Sequence, residues 1–204
     1  MQLRSPAILV ASRAHGESAS IARLLTEKHG LVAGYVAGGR GRNLRPVMIP
    51  GNRVEAELRS KSENQLPFAR LELVESRGPW MTEPLPAAAM AWVCALTASA
   101  LAERNPYPAL YVALDGLLNA ICHAPSARGW LAALISYEAL LLREMGYAKN
   151  WENLKADRND KMIDQLEKFT ALEMPLGRYL LAERDRDVMA ARKLLEERLF
   201  RMVK

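Results

Sequence analysis

Three arginines, Arg40, Arg42 and Arg45, fall within six residues of one glycine-rich segment, Gly38-Gly39-Arg40-Gly41-Arg42-Asn43-Leu44-Arg45. Guanidinium groups at that density suit one kind of chemistry, the holding of phosphates by charge-assisted hydrogen bonds. The glycines read as a flexible loop that lets the arginines swing; an ordinary solvated basic loop is the alternative reading. Two nucleotide motifs come close here and fail. Gly34 to Gly41 nearly spells a phosphate-binding loop, but Arg40 stands where that motif wants Lys, and Gly41 where it wants the Ser or Thr that holds Mg²⁺. The dinucleotide fingerprint fails at Leu44, where its last Gly belongs. Arg13, Lys28, Arg53, Arg59 and Lys61 add to the same supply of cations, so these eight residues are the candidate contacts to a polyanion. Catalysis is not expected. His15 with Glu17 and Ser18 is the one tempting nucleophile-and-base group, and it falls on a predicted turn; His29 is also a turn residue and His123 ends a predicted helix.

The elements that must carry these cations read first as strands. Of the 28 Lys and Arg and 23 Asp and Glu in the 204 residues, 12 basic and 7 acidic ones lie before residue 79, so the whole net charge of +5 sits there. Apolar runs at Ala7 to Ala11, Ile21 to Thr26 and Leu31 to Ala37 are separated by His15-Gly16-Glu17-Ser18 and Lys28-His29-Gly30, the pattern of three strands and two turns. Val54, Ala56 and Leu58 alternate with Glu55, Glu57 and Arg59 in a fourth strand, and Ala69, Leu71 and Leu73 with Arg70 and Glu72 in a fifth. Five strands in about 75 residues fit a small closed barrel, of the OB or of an SH3-like type. Tyr35 and Phe68 are the only aromatic side chains of Tyr, Phe or Trp type in this region. Alternation is expected to bury at least one of them, so that phosphate contacts outweigh base stacking.

From Met81 the period becomes helical. Predicted helices run from Pro84 through Leu101, from Leu110 to Ile121 with a stop at Ala124-Pro125, from near Arg128 to Gly146, from Asp160 to Leu172 and from about Asp185 to Lys204, with Pro175 and Gly177 breaking the last two apart. In the last helix Val188, Leu195, Leu199 and Met202 form the apolar stripe, and Arg192, Lys193, Arg198, Arg201 and Lys204 the remaining basic face, open to DNA, a membrane or solvent alone. The expected domains are 1–78, basic barrel, and 79–204, all helical. The short join Ser76-Arg77-Gly78-Pro79 and the apolar Trp80 suggest that the two dock, with Trp80 buried.

The N-terminal order of GES, an apolar run, LLT..HGL and a glycine pair with arginines, together with RNLRP, PGNRVEAELR and the helix end YEALLLREMGY (Tyr137 to Tyr147), resembles the RecO recombination-mediator family from about Ala7 to Tyr147. The resemblance implies an α+β protein, an N-terminal five-stranded OB-fold β-barrel followed by an all-α helical domain. It implies a non-enzymatic DNA repair protein of the RecF pathway that binds single- and double-stranded DNA, anneals complementary strands and helps load recombinase on coated strands. Its implied partners are RecR and the C-terminal tail of single-strand binding protein. The alternative is a protein-interaction adaptor acting through the helical domain, with DNA contact secondary. The family pattern often places a cysteine cluster, sometimes holding zinc, just after the Gly-Tyr. Here Ala148 to Arg158 has no Cys, and Cys94 and Cys122 each lie within an apolar helical pattern, so no metal and no cofactor are expected and a chelator should leave the melting temperature unchanged. No small-molecule substrate and no membrane partner are expected either. No apolar run is long enough to span a bilayer and Met1 to Val10 does not read as a signal peptide, which leads to a cytoplasmic protein, nucleoid-associated when bound to DNA.

Overall fold

The computed structural model describes residues 2–62, 65–147, 156–181 and 186–202. They form two compact units, one of residues 1–82 with 101–111 and one of residues 83–100 with 112–204.

The first unit is built on β1 (Gln2–His15), β2 (Ala19–Thr26), β3 (Gly30–Val36), β4 (Arg53–Arg59) and β5 (Phe68–Glu75). They close in the order β1-β2-β3-β5-β4, the antiparallel pairs supplemented by one parallel contact between β3 and β5. This is the OB type of barrel. The expected first strand is longer than its apolar run. β1 pairs with β4 through Gln2 to Ile8 and with β2 from Ala7 to His15, and an irregularity between Leu9 and Ala11 lets it bend from one partner to the other. Alternation fills the inside with Ala7, Leu9, Ala22, Leu24, Val32, Val54, Ala56, Leu58 and Leu71. At Gly34 a Cβ would lie 2.6 Å from Ala69 Cβ, so glycine is what allows β3 to close on β5.

Residues 37–52 are not a loose loop. The Gly39 amide donates to Val36 O, Arg45 to Gly41 O and Met48 to Leu44 O, making a folded turn that drives Val47 and Met48 into the barrel core. Buried Asn52 then ties the segment down: its Nδ2 donates to Pro46 O and Val47 O at 2.8 and 3.1 Å, and its Oδ1 accepts from the Arg77 amide at 2.7 Å. Glycines here shape a compact connection, and the expectation of a freely swinging loop is corrected. Trp80, in a short 3₁₀ turn at Gly78–Thr82, is half-buried.

The second unit holds α1 (Pro84–Ala100), α3 (Leu131–Glu144), α4 (Met162–Ala171) and α5 (Arg186–Phe200), with α2 (Pro108–His123) running on into it from the first. α1 is apolar nearly all round, buries Trp92, Val93 and Leu96, and packs against α5. The break expected at Pro175 and Gly177 is instead a short helical turn, Glu173–Pro175, followed by a wider π-type turn at Leu176–Leu181. A second correction concerns Arg192, placed by charge on the wet face of the last helix. It is 1% exposed, between Leu195, Leu199 and half-buried Val188 on the inner stripe. Its guanidinium donates to Glu138 Oε2 at 3.0 Å and lies 3.9 Å over the Phe169 ring, while Trp92 Nε1 donates to Glu138 Oε1 at 2.7 Å. Burial pushes the Glu138 carboxyl above its ordinary range, and the adjoining Arg192 charge acts against that shift. Cys94 and Cys122 are both buried. Lys204, placed on the basic face of the last helix, and the stretch 148–155 of the cysteine-free segment lie outside the described residues. Among the described residues no helix is long and apolar enough to cross a membrane.

Candidate nucleic-acid interface

Strand register brings a set of outward side chains into one row. Directly opposed residues of paired strands share a face. Arg13 of β1 opposes Ile21 of β2, Ile21 opposes Tyr35 of β3, Tyr35 opposes Phe68 of β5, and Phe68 opposes Arg59 of β4. Ala22, Val36, Ala69 and Leu58, next to Ile21, Tyr35, Phe68 and Arg59, are core, and Arg13 is exposed, so the row lies on the outer surface. Its middle is aromatic: Phe68 is 61% exposed, Tyr35 is half-buried, and their rings meet edge to face at 5.3 Å. Exposed His15 adds a third ring, at 5.8 Å and 87° to Tyr35. The barrel seam fixes this pair in place, since the Tyr35 amide donates to Pro67 O at 2.7 Å next to Phe68. A groove of about 230 Å³ beside Phe68 is lined by Glu57, Arg59, Ala69 and Arg70.

Burial of one of the two aromatics was the expectation, and the structure corrects it. Phe68 is the first residue of β5, with Ala69, Leu71 and Leu73 turned inward, so it shares the outer face with Arg70 and Glu72. That parity was visible in the sequence; the closeness of Phe68 to Tyr35, 33 residues earlier, was not. His15, Tyr35, Phe68 and Arg70 are the residues that the sequence reading missed.

The eight candidate cations do not form one cluster. Arg13 and Arg59 end the row, both exposed, and Arg59 Nε also donates to Glu57 Oε1 at 2.8 Å. Arg40 is exposed but engaged: its Nη1 donates to the carbonyls of Gly16 and Glu17, each at 3.0 Å, and its amide to Ser18 O. It therefore positions the β1–β2 turn that carries His15. Arg42 and Arg45 are exposed on the folded 37–52 connection. Arg53 is half-buried and lies 3.5 Å from Glu75, and Lys61 is exposed just beyond β4. Lys28 sits in the β2–β3 turn, seven residues before Tyr35 and so roughly 20 Å from that ring at the rise of a strand. The His15, Glu17 and Ser18 group does not assemble as a catalytic set, since the His15 ring rests against Tyr35. Two adjacent rings flanked by guanidinium groups can do two things for a single strand: stack bases and neutralise phosphates. Neither reads a base edge, so the surface suits strands of any sequence.

Residues 1–77 match the family described as Recombination protein O N terminal, and residues 82–154 the one described as Recombination protein O C terminal. The chain is 38% identical over 148 residues to a DNA repair protein RecO of Phenylobacterium zucineum, 72% of this chain and 60% of that one. It is also 38% identical over 157 residues to one of Rhodospirillum centenum, 76% of this chain and 61% of that one, and 36% identical over 148 residues to one of Caulobacter vibrioides, 72% and 60%. The chain thus spans about three fifths of the length of the curated relatives it matches.

Proposed function

From the premise that this chain belongs to the RecO family of DNA repair proteins, we propose that it is a strand-binding mediator whose site is the outer row Arg13, Tyr35, Phe68 and Arg59 of the barrel, with Arg70 and His15 beside it. The observation that carries this is the register that sets exposed Phe68 and half-buried Tyr35 between two exposed arginines. Bases stack on Phe68 and Tyr35, and the phosphates between them meet Arg13, Arg59 and Arg70. Because ring faces and phosphates are what is held, the Watson–Crick edges of a bound strand stay open to a complement. This is the physical basis for annealing. Double-stranded DNA would use the arginines alone, at lower affinity and with no gain from the rings. The chemistry needs no metal, cofactor or nucleophile, in keeping with a non-enzymatic role.

The family also suggests RecR and the acidic tail of single-strand binding protein as partners. A second reading, an adaptor acting through the helical unit, draws on Tyr147 and Tyr179, which are partly exposed and stacked at 4.8 Å with Arg178 beside them. Fluorescence anisotropy of a labelled thymidine strand at several salt concentrations separates the two. For single strands log K falls with log salt by about 0.7 per neutralised phosphate, so Arg13→Gln with Arg59→Gln should flatten the slope by about 1.4. An unchanged slope with binding retained removes the barrel row from consideration and leaves the adaptor reading.

A further inference from the structure

We infer that a second pocket of the barrel unit, lined by Gln2, Leu3, Lys28, His29, Val32, Arg104 and Pro106, binds one unstacked nucleotide of the strand held on the outer row, an inference that rests on the strand-binding reading. The pocket measures about 240 Å³, enough for a single small ring system and below the range of larger ligand sites. Its floor and its rim differ in chemistry. Val32 belongs to the barrel core, Leu3 packs against it, and Pro106 adds to the lining, giving an apolar seat for a base. Lys28 and Arg104 supply cations around it for the phosphate, and His29 adds a ring that can hydrogen-bond.

The walls are held in place by independent features. On one side the β2–β3 turn is locked by Thr26, whose Oγ1 donates to Gly30 O at 3.0 Å and accepts from the His29 amide at 3.1 Å. On the other, the segment before α2 lies along β3: Leu31 bridges Glu103, and the Arg104 amide donates to Leu31 O at 2.8 Å. That approach is possible because residue 30 is glycine; a Cβ there would lie 1.9 Å from Asn105 O. Arg104 itself is held at φ 60, a left-handed conformation costly for a side chain of this kind. Backbone strain of this sort persists where surrounding contacts fix it, and it is concentrated at binding sites. Here it keeps an arginine at the pocket.

Occupancy by a nucleotide follows from position as well as chemistry. Gln2, on the pocket, directly opposes Arg59, the last cation of the outer row, so the row runs straight to the pocket mouth. A free phosphate would leave the apolar floor unused, and an acidic peptide would have no reason to approach along the strand path.

The three histidines make the test direct, because each reports a different place: His15 the row, His29 the pocket and His123 the end of α2. Their ring-proton resonances are followed by NMR at fixed pH and ionic strength while deoxyadenosine monophosphate, inorganic phosphate, a short acidic peptide or a thymidine octamer is added. The nucleotide should shift His29 saturably and leave His123 in place, and the octamer should shift both His15 and His29. Lys28→Ala with Arg104→Gly should weaken the nucleotide's effect on His29 at least tenfold, with unmoved His15 and His123 signals showing that the fold is kept. Arg104→Gly alone, which relieves the left-handed residue, serves if the pair is unstable. Equal shifts with inorganic phosphate, or a shift with the peptide and none with the nucleotide, would overturn the assignment. So would an octamer that moves His15 and leaves His29 untouched, with the outer row still standing. An octamer that moves neither would overturn the strand-binding reading and the pocket with it.

Discussion

Replacing Phe68 by Ala isolates base stacking from every other contribution of the outer row. The ring is 61% exposed, so its loss leaves no cavity and the barrel should keep its stability to within about 0.5 kcal/mol. Its contacts are the edge-to-face meeting with Tyr35 at 5.3 Å and the groove beside Arg59 and Arg70, all on the surface. Stacking of a base on an aromatic side chain is worth about 1–3 kcal/mol, which translates into a loss of affinity for single-stranded DNA of roughly 5- to 150-fold. Counterion release depends on phosphates and cations, neither of which changes. The plot of log K against log salt should therefore shift downward without changing slope, in contrast to the flattening expected of Arg13→Gln. Phe68→Trp should retain or increase affinity, and double-stranded DNA, whose bases are already stacked, should bind Phe68→Ala as well as it binds the parent. Fluorescence anisotropy with a labelled thymidine strand, beside a urea unfolding curve for each variant, measures all of this. If Phe68→Ala binds within twofold of the parent, or loses affinity only through a changed slope, the rings do not stack bases and the row is an electrostatic surface alone.

Arg40→Ala and Arg42→Ala should differ although both residues are exposed: loss of the two hydrogen bonds from Arg40 to Gly16 O and Glu17 O loosens the β1–β2 turn, which amide hydrogen exchange at residues 15–18 would register, whereas Arg42→Ala should leave that turn protected. Gly30→Ala should destabilise the barrel unit by more than about 2 kcal/mol in urea unfolding, from the left-handed backbone at φ 65 and the clash with Asn105 O together; a change below 0.5 kcal/mol, on the order of an ordinary surface substitution, would refute the close approach. Arg192→Met should cost about 3–5 kcal/mol at pH 8, since it leaves Glu138 buried without its counter-charge. The pH dependence has a definite sign. Burial raises the folded carboxyl above its ordinary 4.5, so the group's contribution is fully present below that value and is lost as pH rises through the folded value. Without Arg192 the Trp92 hydrogen bond is left to oppose the rise without a counter-charge, and the variant should be least destabilised near pH 5 and most near pH 8; urea midpoints that do not depend on pH would contradict a buried carboxyl without its arginine.

Period-two alternation in β4 and β5, and the turn chemistry at Gly16 and Gly30, were enough to place five strands and to say which side chains face inward, because each of those signals is local. The same holds for α1, whose apolar surface all round could only be buried. Arg192 shows where local reading misleads. Its spacing from Val188, Leu195 and Leu199 belongs to the inner stripe, yet its charge argued for solvent, and only a carboxylate 54 residues away on another helix makes the burial tolerable. Likewise the glycines around Arg40 suggested freedom, while Asn52 and the carbonyls of Gly16 and Glu17 remove it through contacts that sequence distance conceals. The candidate site was half legible for the same reason. That the first 78 residues carry the whole positive balance is a matter of counting, and it pointed to a polyanion. Which cations stand together is a matter of register. Closure of β3 on β5 sets Tyr35 against Phe68, puts Arg13 and Arg59 at the ends of one row, and sends Lys28 to the opposite end of its hairpin, because barrel shear is a property of the closed sheet and of no single strand.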